Sequence, residues 1–173
     1  MKPQDILIAL KMQSLCDQAG DVCPPWPQRF LARETGVSLS EVSAACRRLE
    51  EAGLLDPTSR RVVRSALREF LVHALKYVFP ARAGEISRGM PTGYAAEPLR
   101  GDFLALSDEP IPVWADARGK SRGAALEPLY KSAPMAARKD ARLYEYLALA
   151  DAIRAGRARE RIRAIEILSQ RLR

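Results

Sequence analysis

Apolar positions predict three helices in the first third of the chain. Residues 3–18 carry apolar side chains at close to helical spacing. The breaker pair Pro24-Pro25 interrupts this pattern. It resumes as a short helix over residues 27–35 and a longer one over residues 38–52. The pattern is typical of a mainly helical protein.

Residues with special backbone properties stand at the ends of the second and third helices. Gly36 follows the second helix and Gly53 the third, and glycine tolerates the left-handed conformation in which a helix can stop sharply. Ser38 opens the third helix, with Glu41 three residues further on. This spacing predicts a capping box, in which the hydroxyl and the carboxylate each bind an otherwise unpaired backbone amide.

A small hairpin with a basic tip is predicted after the third helix. Residues 54–55 and 60–63 have extended character, and the turn-forming residues 56–59 join them. A longer helix then covers residues 64–78. Its broad apolar face consists of Leu67, Phe70, Leu71, Ala74, Leu75 and Val78.

The middle of the chain, residues 80–134, is rich in proline and glycine, which predicts little regular structure. Its apolar residues are nevertheless too frequent for a free linker. They include Phe103, Leu104, Leu106, Val113, Trp114, Leu126, Leu129 and Tyr130. We therefore expect an extended segment that lies across the surface of its own subunit or of a partner.

Two amphipathic helices are predicted at the end of the chain, over residues 135–155 and 157–172. The short break at Gly156 favours a helical hairpin. The predicted parts are residues 1–79 as one domain, 80–134 as the extended Pro/Gly-rich segment and 135–173 as the C-terminal hairpin.

The charge balance favours a polyanionic partner. The chain has 28 lysines and arginines against 21 acidic residues, for a net charge of +7. Bound cationic side chains release counterions from phosphates, and arginine, the more frequent of the two here, forms forked contacts to phosphate or guanine. No apolar run approaches the ~20 residues of a membrane span, and the first residues lack the layout of a secretory signal. We expect a cytoplasmic protein.

The residues that usually carry catalysis or bind metals form no recognisable motif. Cys16, Cys23 and Cys46 form no CxxC pair, the chain has one histidine, and an odd cysteine count argues against a disulfide framework. Cys46 falls on an apolar helix stripe and is expected to pack as a small hydrophobe. The sequence holds no Walker loop, dinucleotide fingerprint or nucleophile elbow. We expect neither enzymatic activity nor a cofactor.

Three residues between positions 29 and 42 have a characteristic spacing. Ala32 is followed by Gly36 four positions later and by Val42 six positions after that. This segment resembles the helix-turn-helix of bacterial transcriptional regulators. There the small residue lets two helices approach closely, the glycine permits the turn and the aliphatic residue anchors the second helix. The resemblance implies that the second helix enters the major groove of duplex DNA.

The continuation over residues 45–55 reads Ala-Cys-Arg-Arg-Leu-Glu-Glu-Ala-Gly-Leu-Leu. It is similar to the passage from recognition helix to wing in winged-helix regulators such as the MarR-like group. The two resemblances together cover about residues 1–78. They imply a winged helix-turn-helix DNA-binding domain, with a small β-hairpin wing, at residues 1–79.

Helix geometry selects the candidate DNA-binding residues. Val42, Cys46 and Leu49 lie at i, i+4 and i+7 and are expected to point inward. The predicted DNA-binding set is Ser38, Ser40, Ser43, Ala44, Arg47, Arg48, Arg60 and Arg61. The last two stand at the predicted hairpin tip, where the resemblance implies contact with a flanking backbone or minor groove.

The arginines of the third helix have two readings. Arg47 is the best candidate for reading guanine N7 and O6, and Arg48 is expected to meet phosphate, while the small residues beside them let the helix sit deep in the groove. Alternatively, Arg47 and Arg48 pair with Glu50 or Glu51 on a solvated helix face.

These observations predict a sequence-specific, double-stranded DNA-binding transcriptional regulator that acts as a homodimer. The first helix, the helix over residues 64–78 and the C-terminal hairpin are the available dimer surfaces. The alternative is a protein-interaction or antitoxin-like subunit that uses the winged helix as a scaffold for a co-encoded protein partner. The extended apolar middle favours that alternative, because such segments often wrap a partner.

Overall fold

The first helix is the centre of the molecule. In the computed structural model, which describes residues 1–20, 23–103 and 109–173, helix α1 runs over Pro3–Ala19. Every residue from Asp5 to Cys16 is buried, because helices of both halves of the chain pack around it. The sequence pattern showed an apolar stripe, whereas the structure covers this helix on all sides.

Helices α2 (Gln28–Thr35) and α3 (Leu39–Glu51) form the predicted helix-turn-helix. Gly36 ends α2 with a φ of 70° and donates its N–H to the Ala32 carbonyl at 2.9 Å. A positive φ of this kind favours glycine, which explains the residue at this turn.

The predicted wing is reduced to an isolated antiparallel bridge between Leu55 and Val62. Two backbone hydrogen bonds flank it, from Val63 N to Leu54 O at 3.0 Å and from Asp56 N to the Arg61 carbonyl at 2.9 Å. The segment therefore turns back on itself without a hairpin of two regular strands.

A continuous helical run follows the bridge. It consists of α4 (Arg64–Glu69), a π-helical turn (Phe70–Ala74) and α5 (Leu75–Val78). Leu67, Leu71 and Leu75, spaced one turn apart, are fully buried along it. The run coincides with the helix predicted over residues 64–78.

The expectation of an extended middle segment with little regular structure is wrong. Strands β1 (Ala83–Pro91), β2 (Pro112–Ala115) and β3 (Ser121–Leu126) form a small closed sheet. The long strand β1 pairs antiparallel with both others, and β2 pairs parallel with β3. A 3-10 turn (Gly93–Ala95) and α6 (Arg100–Phe103) lie between β1 and β2.

The prolines and glycines of residues 80–134 occupy positions that are compatible with this sheet. Pro91 is the last residue of β1 and Pro112 the first of β2, positions at which a missing N–H is tolerated. A Cβ on Gly89 would lie 2.1 Å from the Trp114 carbonyl oxygen, so glycine allows β1 and β2 to approach closely. Among the apolar residues predicted to cover a surface, Val113, Trp114, Leu126 and Leu129 are buried in the chain itself, and Leu104 and Leu106 lie outside the described residues.

The C-terminal part contains an additional helix boundary. A single helix was predicted over residues 135–155, but the structure has α7 (Ala133–Lys139) and α8 (Ala141–Ala155). Asp140 separates them with an extended conformation (φ −147°, ψ 102°), and its carboxylate accepts the Leu143 N–H as the cap of α8. Helix α9 (Ala158–Arg171) follows after Gly156 and packs on α8.

Asp140 also ties α8 to α1. Its carboxylate accepts hydrogen bonds from Lys11 Nζ at 2.8 Å, Ser14 Oγ at 2.7 Å and Gln18 Nε2 at 3.0 Å. The Lys11 and Asp140 side chains are each 3% exposed. Burial alone would raise the pKa of Asp140, but the hydrogen bonds from Lys11, the Leu143 amide and Ser14 outweigh it and lower the pKa.

The expectation against a disulfide is also wrong, since Cys16 and Cys23 are bonded. Their Cα atoms are 4.8 Å apart, a separation that a disulfide can span. Cys46 remains a buried thiol, as predicted. No helix within the described residues is long and apolar enough to cross a membrane.

We expect Asp140→Asn to lower the free energy of unfolding at pH 7 by about 3 kcal/mol, because Lys11 would keep a buried charge without its main counter-charge. The pKa of Asp140 lies below its ordinary value of 3.8 in the folded state. Its stabilisation is therefore complete above that value and is lost as the pH falls through the lower folded-state value. Urea unfolding from about pH 2 to pH 7 should show a shallower acid decline in the variant.

Glu34 supplies the matched control. It lies 3.9 Å from the same Lys11 ammonium and is more exposed, at 17%. Glu34→Gln should cost less stability than Asp140→Asn. Equal losses would contradict the assignment of Asp140 as the main partner of Lys11.

Candidate nucleic-acid interface

Helix α3 has the orientation that its sequence predicts. Val42, Ala45, Cys46 and Leu49 are buried against the core. On the opposite face Ser38, Ser40 and Arg47 are exposed, and Ser43 and Ala44 are partly exposed. The surface that α3 presents to solvent is therefore made mainly of small residues around one arginine, with Leu39 exposed in its first turn and Glu51 in its last.

The start of α3 differs from the predicted capping box. The Ser38 hydroxyl accepts the Glu41 N–H at 3.3 Å, as expected. The Glu41 carboxylate does not return to Ser38 but accepts from Arg48 at 2.5 Å and from Gln4 at 3.0 Å. The hydrogen bond from Arg48 is the main reason why the pKa of Glu41 is lowered.

Arg48 is engaged inside the protein. Its Nε and Nη2 atoms bind the two Asp5 oxygens at 2.9 and 2.6 Å, in a forked geometry, and Nη2 also binds Glu41. The Asp5 side chain is fully buried. The hydrogen bonds that Arg48 donates to Asp5 are the largest cause that raises the pKa of Arg48. Arg48 therefore joins α3 to α1, and its guanidinium is not directed at solvent as a phosphate contact requires.

Arg47 has a different environment. Arg47 is exposed, and no acidic oxygen in the described part of the chain lies within 4 Å of its guanidinium. The alternative pairing with Glu50 or Glu51 is not formed; Glu50 instead lies 3.4 Å from Arg60 Nη1. Arg47 is thus the arginine of α3 whose donors point outward.

The two arginines of the predicted wing are partly held by the protein. Arg60 adopts a positive φ of 56° and its guanidinium contacts Glu50. Arg61 donates from Nε to the Cys23 carbonyl at 2.9 Å, next to the start of α2, while its residue stays exposed. The structure therefore brings Arg60 close to α3 and directs Arg61 toward the α1–α2 connection.

An open depression between the starts of α2 and α3 adds a residue that the sequence analysis missed. It is lined by Pro27, Gln28, Arg29, Leu39, Ser40 and Ser43. Arg29 is exposed beside Ser40 and Ser43. Its position at the first turn of α2, close to the recognition face, could have indicated a phosphate contact.

Helix α7 supports the helix-turn-helix from the side. Ser132 Oγ donates to the Thr35 carbonyl at 2.6 Å, and Lys139 Nζ donates to the Arg33 carbonyl at 2.8 Å. The Met135 side chain packs against Gly36, where an added Cβ would come within 2.5 Å of it. The turn between α2 and α3 is therefore fixed by the C-terminal part. Within the described residues no group of His, Cys, Asp and Glu could hold a metal ion.

Comparison with known proteins supports the helix-turn-helix assignment. A protein-family model described as a helix-turn-helix domain matches residues 1–55, which span α1, α2 and α3. No curated protein and no solved structure matches the chain. The match indicates a helix-turn-helix protein for which DNA is the expected partner.

The two adjacent arginines of α3 should differ sharply in their effect on stability. We expect Arg48→Ala to lower the free energy of unfolding by about 3 kcal/mol, because it leaves the Asp5 charge buried without its partner. Arg47→Ala removes an exposed side chain and should change stability by no more than about 0.5 kcal/mol. Denaturant unfolding of both variants measures this difference. A large loss for Arg47→Ala would show that Arg47 is structural.

Proposed function

We propose that this protein is a sequence-specific, double-stranded DNA-binding transcriptional regulator of the winged-helix kind, similar to the MarR-like group, and not an enzyme. The proposal rests on the outer face of α3, where Arg47 is exposed among small residues. The neighbouring Arg48 is instead bound to Asp5 and Glu41. A helix with such a face can approach base edges closely, and one outward arginine can bind guanine O6 and N7 together.

The surrounding residues fit a division of roles. Ser38, Ser40, Ser43 and Ala44 keep the face of α3 low enough to enter the major groove. Arg29 and Arg60 lie beside α3 and supply phosphate contacts that fix the orientation of the helix. Arg61, which is exposed and donates to the Cys23 carbonyl, supplies a further phosphate or minor-groove contact. Arg48 acts indirectly, because it fixes the rotation of α3 against α1.

The structure contradicts the expectation that favoured the alternative of a protein-interaction or antitoxin-like subunit. That reading rested on an extended apolar middle segment free to wrap a partner. Trp114, Val113 and Leu126 are instead buried in the chain's own sheet and core. We therefore retain the DNA-binding proposal alone.

The proposal includes a homodimer, since two-fold symmetric readers place two recognition helices on a palindromic site. The first helix is excluded as a dimer surface because it is buried within the chain, and α8 of the hairpin is largely buried as well. Exposed apolar side chains remain on α5, where Tyr77 is 73% exposed, and on α9, where Ile162 is 58% exposed. These two helices are the candidate surfaces.

DNA binding should be selective and should depend on Arg47. Fluorescence anisotropy with duplex DNA from upstream of the protein's own gene, and with a scrambled duplex, should show tighter binding to the first at two salt concentrations. Arg47→Ala should reduce the preference by roughly ten- to a hundredfold, because one bidentate base contact is lost. Arg100→Ala, at an exposed residue of α6, is the control and should leave the preference unchanged. Equal, weak binding to both duplexes would contradict the proposal.

A native mass measurement at micromolar concentration should give about twice the chain mass of 19.2 kDa. Tyr77→Ser should shift the mass toward the monomer if α5 forms the contact, and Ile162→Ser should do so if α9 forms it. A monomer alone in the unaltered protein would refute the dimer.

A further inference from the structure

We propose that a second basic surface, on the small sheet, binds the phosphates of duplex DNA that flank the site contacted by α3. This surface, the basic ridge, consists of Arg88, Arg118, Lys120 and Arg122. The inference rests on the proposed DNA-binding function and extends it to a part of the chain outside the helix-turn-helix match.

Sheet register brings these charges together. Arg88 on β1 lies directly opposite Arg122 on β3, so their side chains share a face of the ribbon. The turn that precedes β3 folds onto the same end of the sheet. There Asp116 N donates to the Arg88 carbonyl at 3.0 Å, and Gly119 packs on the backbone of Gly89. Arg118 and Lys120 flank that glycine.

The side chains of the ridge form no ion pair within the described residues, although the Asp116 carboxylate accepts the Arg118 backbone N–H at 2.8 Å and interacts with the charge of Arg118. Within the described residues no acidic oxygen lies within 4 Å of any of the four charged groups, and all four residues are exposed. Asp116, the nearest acidic residue along the chain, pairs with Arg138, whose hydrogen bond is the main reason why its pKa is lowered. Glu85 and Glu127 lie toward the other end of the ribbon, near the Ala83–Leu126 pair.

Like charges directly opposite each other on paired strands are destabilising. Four cations that form no side-chain ion pair among the described residues, at one end of a small sheet, therefore favour an anionic partner that reduces this repulsion when it binds. The structure also indicates that this anion is DNA, because residues next to the ridge are linked by direct contacts to the helix-turn-helix. Asp116 contacts Arg138 on α7, and the adjacent Lys139 donates to the Arg33 carbonyl on α2.

This continuity favours DNA over an acidic protein. Arg33 itself is exposed, at 71% of its side chain, one turn before the Gly36 turn that leads into α3, and its Nε atom lies 3.2 Å from Glu34. A path of basic residues therefore runs from the edge of the recognition helix across α7 to the sheet, although Arg33 and Arg138 also pair with acidic neighbours. Duplex DNA carries one phosphate charge per ~1.7 Å of helix axis, so a duplex that contacts α3 extends phosphates along such a path.

The test removes the four charges together. The variant replaces Arg88, Arg118, Lys120 and Arg122 by glutamine, and the slope of log K against log salt is measured on the selective duplex. Each lost phosphate contact lowers the slope by about 0.9, so the decrease should be about 3 to 4. Between 50 and 200 mM salt the unaltered protein should then lose about a hundredfold more affinity than the variant. The preference for the selective over the scrambled duplex should stay unchanged, because phosphate contacts carry no sequence information.

A charge-matched control separates the ridge from total charge. It replaces four exposed basic residues outside α3, α5, α9 and the ridge, namely Arg64, Arg82, Arg100 and Arg173, by glutamine. Its salt slope should stay close to that of the unaltered protein. Circular dichroism and thermal unfolding should show that both variants keep the fold.

The outcomes distinguish this inference from the function on which it rests. If the unaltered protein binds neither duplex selectively, the proposed function fails and the inference fails with it. If selective binding is present but the ridge variant keeps the full slope, the function stands and the ridge is not a DNA contact; an acidic protein is then the better partner. If the control lowers the slope as much as the ridge variant, general charge is responsible and the inference is overturned.

Discussion

The buried contact between Lys11 and Asp140 is the interaction on which the arrangement of the molecule depends. A lysine ammonium inside a protein is strongly unfavourable unless a carboxylate and further polar groups surround it. Asp140 meets that requirement and also accepts from Ser14 and Gln18, so one side chain holds three residues of α1. Because the same carboxylate caps α8, the position of the C-terminal helices is coupled to the helix that underlies the helix-turn-helix.

The helix-turn-helix could be predicted because its determinants are local. Ala32, Gly36 and Val42 act within a few residues of one another, and Gly36 has the left-handed conformation that its turn requires. The sheet could not be predicted in the same way, since its strands pair across tens of residues and its prolines and glycines resemble loop residues. Their function becomes visible with the register, which places Pro91 and Pro112 at strand ends and Gly89 at a close backbone approach.

In the candidate site, too, the sequence predicted what depends on local spacing and did not predict what depends on contacts between distant residues. Helical periodicity predicted which face of α3 is buried, and that prediction is confirmed by Val42, Cys46 and Leu49. Periodicity could not separate Arg47 from Arg48, because the difference between them arises from Asp5, which lies 43 residues before Arg48 in the sequence. A charged residue on α1 thus decides which of two neighbouring arginines remains available for a ligand.

The contacts of α7 with the α2–α3 turn have a consequence for the evolution of the chain, because they limit which parts of it can be transferred to another protein. The turn is contacted from one side by Ser132, Met135 and Lys139. The next residue, Asp140, accepts a hydrogen bond from the buried Lys11 of α1. A recombination event that transferred the first 79 residues alone to another protein would leave Lys11 without its carboxylate and expose a helix that is apolar over most of its circumference. The two ends of the chain are therefore expected to diversify as one unit, even though the family match stops at residue 55.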